Sequence, residues 1–328
     1  MRFIQTIIGA ALLAAAHAGA IGAGFQSVKF PSQDGVPIRV SVWYPSPAAV
    51  AKQNTGVVTQ EVAIGADVEG KGLPLIVFSH GTGGFGLSHY DTALALANAG
   101  FVVAAVTHPG DNYADQSRSV DILARPRHVT GVIDYMLGTW NGRESLAPDR
   151  IGIFGHSAGA FTALVSVGGM PDLNLIPKHC EANRSDFACT LLAANKDPLE
   201  QASRVVTPEM RDGRIRAAVI AAPALGFTFS AGGLNGVDIP VQLWGAENDV
   251  LLPPRWYAEA VRNSLRKEPD YHAVAKAGHF DFLAPCSEKL LGLAPQICAS
   301  GDGFDREVFH RRFNADVVSF FIKTLGSI

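Results

Sequence analysis

A serine flanked by glycines, with an acid and then a histidine further along the chain, can form an activated nucleophile. This sequence contains such a set: Ser157 in "GHSAG", Asp249 in "GAENDVLLPP" and His279 in "AGHFDF". A serine hydroxyl attacks poorly by itself, so it needs a base to take its proton and a third group to orient that base. The order serine, acid, histidine is the one expected where the nucleophile stands on a sharp strand-to-helix turn. Glu247 shares the acidic stretch with Asp249, and either carboxylate could hold the imidazole tautomer. The competing reading of "GHSAG" is a small residue in a tight turn, since Gly and Ser are common.

Acyl transfer also needs donors for the oxyanion that forms. In "SHGTGGFG" the glycines let a backbone pass close to a ligand, and the donors expected are the backbone N–H groups of Thr82 and Ala158. His80, in the same loop, is expected to brace it. No "GK[ST]" follows, which counts against a nucleotide. Among the other histidines, His310 in "REVFHRRF" reads as the side of a helix and His272 lies within a strand, so His279 is the expected base.

These residues need strand ends to carry them. "FQSVKF" and "VPIRVSVWYP", parted by a turn cluster, read as an antiparallel hairpin, and a looser stretch from Ser46 to Gly72 follows. "LPLIVFS" is an uninterrupted apolar run, as a strand buried on both faces requires. Beyond it, helix "HYDTALALANAG", strand "FVVAAVT", helix "RHVTGVIDYMLG" and strand "RIGIFG" lead to Ser157. After Ser157 come helix "AGAFTALVSVGG", strands "IRAAVIAAP" and "IPVQLWG", a helix near Tyr257 to Arg266, strand "YHAVAKA" and a closing helix near Phe309 to Thr324. The alternation implies an α/β fold, a mostly parallel twisted sheet with helices on both faces. A poorly periodic region at about 170–213 reads as a cap-like insertion after the nucleophile helix, within one domain spanning 21–328.

Bulk properties exclude other classes. The chain has 328 residues, is 48% apolar and 17% charged, and carries a formal net charge of −3, with Lys and Arg scattered. Nothing there makes an electrostatic footprint for nucleic acid or an anionic membrane. Residues 1–20 combine Arg2, an apolar stretch and small residues at Ala18 and Ala20, which reads as a signal peptide cleaved near Ala20 and a periplasmic or secreted protein. The apolar run is interrupted by Gln5, Thr6 and His17, too short for a membrane span. Four cysteines suit an oxidising compartment, with Cys180 near Cys189 and Cys286 near Cys298, although three connectivities are open. No C-x-x-C spacing suggests a metal.

The ordered set "SHGTGG", "GHSAG", "GAENDVLLP" and "AGHFDF" resembles the α/β-hydrolase superfamily over essentially the whole mature chain. More narrowly, "VKFPSQDGVPIRVSVWYPS", "HPGDN" and "RPRHVTGVIDYML" resemble exported bacterial predicted dienelactone hydrolases similar to platelet-activating-factor acetylhydrolase. The resemblance implies a triad of Ser157, Asp249 and His279, an oxyanion hole at Thr82 and Ala158, no cofactor, and acyl esters, including phospholipid acyl esters, as substrates. Dienelactone hydrolases proper use a cysteine nucleophile, whereas the elbow here carries serine, so dienelactone itself is not assigned. A peptidase or amidase using the same triad, or a non-catalytic binding protein, are the alternatives. Phe85, His108 and Trp256, with Tyr113, Trp140 and Phe227, are candidates for the pocket wall as well as for the core.

Overall fold

The structure, a computed structural model, describes residues 22–32, 35–194, 210–230 and 232–326. The expected signal peptide, 1–20, lies outside the described residues, as does part of the expected insertion.

Strand β5 (Leu73–Ser79) shows why the sheet is covered twice. Leu75 and Val77 join one apolar cluster, with Val132, Ile133 and Phe161, while Ile76 and Phe78 join another, with Leu96, Phe313 and Phe321. Successive side chains point to opposite faces of a sheet, so a strand without polar alternation must bury both. Helices α2 (Arg125–Gly138) and α3 (Ala158–Ser166) supply the first layer, and α1 (Tyr90–Asn98) and the closing helix, α9 (Arg306–Leu325), the second.

The other strands are β1 (Gly22–Pro31), β2 (Pro37–Ser46), β3 (Ala51–Asn54), β4 (Thr59–Ile64), β6 (Val102–Thr107), β7 (Leu146–His156), β8 (Ile215–Ala221), β9 (Val241–Ala246) and β10 (Asp270–Val274). Their order in the sheet is β10-β9-β8-β7-β5-β6-β2-β1-β4-β3. From β6 to β10 the pairings are all parallel, and the antiparallel ones involve the amino-terminal strands. This is the α/β-hydrolase arrangement, with β7 between β5 and β8, and β9 and β10 beyond β8 at one edge.

Two stretches carry more structure than expected. The looser stretch from Ser46 to Gly72 holds β3 and β4, and β4 adds to the sheet by pairing with β1. "AKQN" in β3 is mostly exposed and polar, so edge hydrogen bonding makes it a strand where composition does not. Among its described residues, the region at 170–213 contains two short helices, α4 (Leu175–Ala182) and α5 (Phe187–Ala194), joined by a disulfide between Cys180 and Cys189. A second disulfide joins Cys286 to Cys298, which ends the short helix α8 (Pro295–Cys298), after α7 (Glu288–Leu293). A further helix, α6 (Ala258–Ser264), precedes β10. Both disulfides are local, as oxidation of neighbouring cysteines favours. Among the described residues no helix is long and apolar enough to cross a membrane.

Candidate active site

The turn between β7 and α3 is forced by close packing. Ser157 has φ 56° and ψ −120°, a strained backbone conformation rarely adopted by non-glycine residues. A Cβ at Gly159 would lie 1.9 Å from the carbonyl oxygen of Ser79, and one at Gly155 would lie 2.2 Å from that of Gly159. Both positions therefore need glycine for contact reasons alone. The strained residue is held on both sides: its amide donates to Ala221 O at 3.0 Å, and its carbonyl accepts from the amides of Ala160, Phe161 and Ala224. Strain of this kind persists only where surrounding bonds over-determine it.

Asp249 follows β9 and His279 follows β10, so both arrive at the carboxyl ends of strands, where ligands of open parallel sheets gather. The Nδ1 of His279 lies 2.7 Å from Oδ2 of Asp249, with both side chains buried. A carboxylate accepts only, so Nδ1 carries the hydrogen, which leaves Nε2 as the lone-pair nitrogen of the neutral ring. The other carboxylate oxygen accepts from the amides of Leu251 at 3.0 Å and Leu252 at 2.8 Å, which fixes its plane. Glu247 is exposed, and the histidine is thus joined to Asp249. His156, inside the elbow motif, donates from Nε2 to the carbonyl of His279 at 3.2 Å. Burial, then the neighbouring His279, hold the His156 imidazole well below its ordinary pKa, so it is a neutral support.

Thr82 and Ala158 border the same cleft as Ser157. Among the described residues, neither amide donates to another protein group. The loop carrying Thr82 is braced from beneath by His80, whose Nδ1 donates to Gly81 O at 2.6 Å and whose Nε2 accepts from the His108 amide at 3.0 Å. The cleft is walled by aliphatic side chains that include Ile122, Leu123, Ile176, Leu192 and Leu225. Leu173, Ile176, Phe187, Leu191 and Leu192 come from the region expected as an insertion.

Three residues named as candidates for the pocket wall as well as for the core stand away from the cleft. Phe85 borders a separate small cavity with Leu87, Pro285 and Leu290, and meets the Tyr113 ring edge-on. His108 is fully buried, bonded through Nε2 to Ser79 Oγ at 2.8 Å and through Nδ1 to His128 at 3.2 Å, so it belongs to the floor beneath the loop. Trp256 is 37% exposed, with its ring against His179 and under Arg255, and does not border the cleft. A strand-end position or an aromatic ring does not by itself say which way a side chain faces.

Two residues given no role beforehand prove central to the loop. Asp111 and Arg125 form a buried ion pair at 2.7 Å and bond to the backbone around Thr82. A signal for them was present: Arg125 opens α2, where the helix dipole disfavours a cation, so an acid partner was to be sought.

The family profile of platelet-activating factor acetylhydrolase, isoform II, matches residues 34–122, which include the loop of Thr82 and Asp111 but not Ser157. No curated protein matches the chain. Among solved structures, a ferulic acid esterase from Streptomyces cinnamoneus is 19% identical, with a TM-score of 0.64, over 94% of this chain and 91% of that one. At such identity the likeness is one of fold. Fold and family profile together support a carboxylic ester hydrolase of the α/β-hydrolase fold. Within that class, the chain is similar in its amino-terminal part to the platelet-activating factor acetylhydrolases.

Proposed function

We propose that the protein cleaves carboxylic esters of short- to medium-chain acyl groups, with Ser157 as nucleophile, His279 as base and Asp249 as its orienting acid. The observation that carries this reading is the buried bond from His279 Nδ1 to Asp249, on strand-end loops beside the strained Ser157 turn. His279 takes the Ser157 proton as the hydroxyl attacks the ester carbonyl, and the amides of Thr82 and Ala158 receive the oxyanion. The proton then passes to the leaving alcohol, and water repeats the sequence on the acyl-enzyme. No step calls for a cofactor.

Branched aliphatic walls suit an alkyl acyl chain better than an aromatic one; among the described residues bordering the cleft, Phe187 is the one with an aromatic side chain. Helices α4 and α5 act as the cap over that chain. The leader at 1–20 and the two disulfides support export to the periplasm or medium. The test is hydrolysis of p-nitrophenyl esters from acetate to dodecanoate, with methyl ferulate and a matched anilide beside them, by the mature protein and its Ser157→Ala variant. Activity confined to the wild type and to alkyl esters is expected. Equal activity of the variant would remove Ser157 from its role, and a preference for the anilide or for ferulate would overturn the substrate class.

A further inference from the structure

The peptides on both sides of Thr82 are held by one buried ion pair. From Arg125, Nη1 donates to the carbonyl of His80 at 2.6 Å and Nη2 to that of Gly81 at 3.4 Å. From Asp111, Oδ1 accepts the amide of Gly83 at 3.0 Å. The pair closes on itself through Asp111 Oδ2, which accepts from Arg125 Nε at 3.1 Å and Nη2 at 2.7 Å. The two side chains are 2% and 4% exposed. Asp111 comes from the loop after β6 and Arg125 from the start of α2, so three separate parts of the chain meet at this loop.

A buried ion pair is a poor device for stability, because desolvation of the two charges offsets most of their attraction. This one spends its remaining hydrogen-bonding capacity on successive peptides that bracket the Thr82 amide. The bracketed segment needs such restraint: Gly81, Gly83 and Gly84 leave its backbone free, and Gly83 stands at φ +70°. An oxyanion donor is effective only if it is aimed before the reaction begins, since reorganising it during the reaction would cancel its benefit.

We infer that Arg125 and Asp111 are positioning residues that hold the Thr82 amide on the line of the developing oxyanion. The inference rests on Thr82 being an oxyanion donor, as proposed above. Neither side chain touches the substrate. Their loss therefore weakens transition-state binding and leaves ground-state binding in place.

The experiment uses the mature protein and an Arg125→Lys variant. Lysine keeps the charge but cannot span two carbonyls and a carboxylate as the guanidinium fork does. Removing an oxyanion donor outright costs about 100- to 1000-fold in kcat, so a misaimed one is expected to cost on the order of 10- to 100-fold. KM for the preferred p-nitrophenyl ester should stay within about twofold, because ground-state contacts are unchanged. A trifluoromethyl ketone bearing the same acyl chain forms a tetrahedral oxyanion on the nucleophile, and its affinity should fall by the same factor as kcat/KM. Burst amplitude counts the competent sites, and a purely structural lesion would lower that count while leaving kcat per site intact. Undiminished kcat per site, or a fall in kcat with unchanged ketone affinity, overturns the inference. If Arg125→Lys does not fold, the charge-free double variant Arg125→Met/Asp111→Leu leaves no buried charge unpaired and is read by the same two outcomes. The underlying active-site reading fails separately, through an active Ser157→Ala variant; an inert Ser157→Ala beside a fully active Arg125→Lys rejects the positioning role alone.

Discussion

Asp249 and Glu247 stand two residues apart on one acidic loop, yet only Asp249 is buried against an imidazole. Asp249→Asn would preserve the shape while favouring the wrong histidine tautomer, and a fall in kcat of about 10⁴ is expected by analogy with the serine protease triad. Glu247→Gln should leave kcat within about twofold, because an exposed carboxylate off the site contributes little. Steady-state kinetics of the two variants on one ester check this, and comparable losses would contradict the choice of acid. Ser157, Asp249 and His279 were legible in the chain because each lies on the turn or loop that follows a strand-forming run. His108 was not, although it too follows such a run: its ring turns down into the floor, towards Ser79 and His128, instead of out into the cleft. Which way a side chain turns depends on neighbours distant in sequence.

At the scale of elements, the elbow is where β5, β7 and α3 come closest. Gly159 sits against the backbone of Ser79 and His80 from β5 and its loop, with no flexible side chain to give way. Gly159→Ala should therefore prevent the strand-to-helix turn from closing. The expected result is loss of soluble, cooperatively folding protein, read by expression yield and thermal melting; a variant melting within a few degrees of wild type would refute the close approach. The long apolar strands and the helices between them were readable from period and punctuation. The short edge strand β3 and its neighbour β4 were not, and for β3 the reason is plain: a four-residue polar strand owes its existence to the partner it pairs with. The short helices α4 and α5 escaped for a related reason: a single turn or two has little intrinsic stability and depends on packing and on the Cys180–Cys189 link.

Across the whole molecule, several histidines are enclosed in neutral form. Burial pushes His89 down to about 4, against the opposing pull of Asp91. Burial, reinforced by Arg125 for His80 and by His279 for His156, holds those two well below the ordinary histidine range. In the unfolded chain each would take a proton near pH 6.5. Between that value and the lowered native ones the unfolded state binds more protons, so stability rises with pH and is lost on acidification. Melting temperature should fall steadily from pH 7 to pH 4.5, and His89→Phe, if folded, should show a shallower fall. A melting temperature flat across that interval would contradict the neutral, buried assignment.

The order of chemical groups along the chain, the alternation of strands and helices, and the glycines that permit a sharp turn were all determined by the sequence itself, because they follow from local sterics and from apolar period. They sufficed to indicate an α/β-hydrolase fold and a candidate nucleophile. Only the tertiary structure decided which carboxylate meets His279, that Phe85 and Trp256 lie away from the cleft, and that Arg125 and Asp111 clasp the loop of Thr82. These are contacts between residues from different elements, set by sheet order and side-chain direction, and neither quantity is encoded in any short stretch of residues.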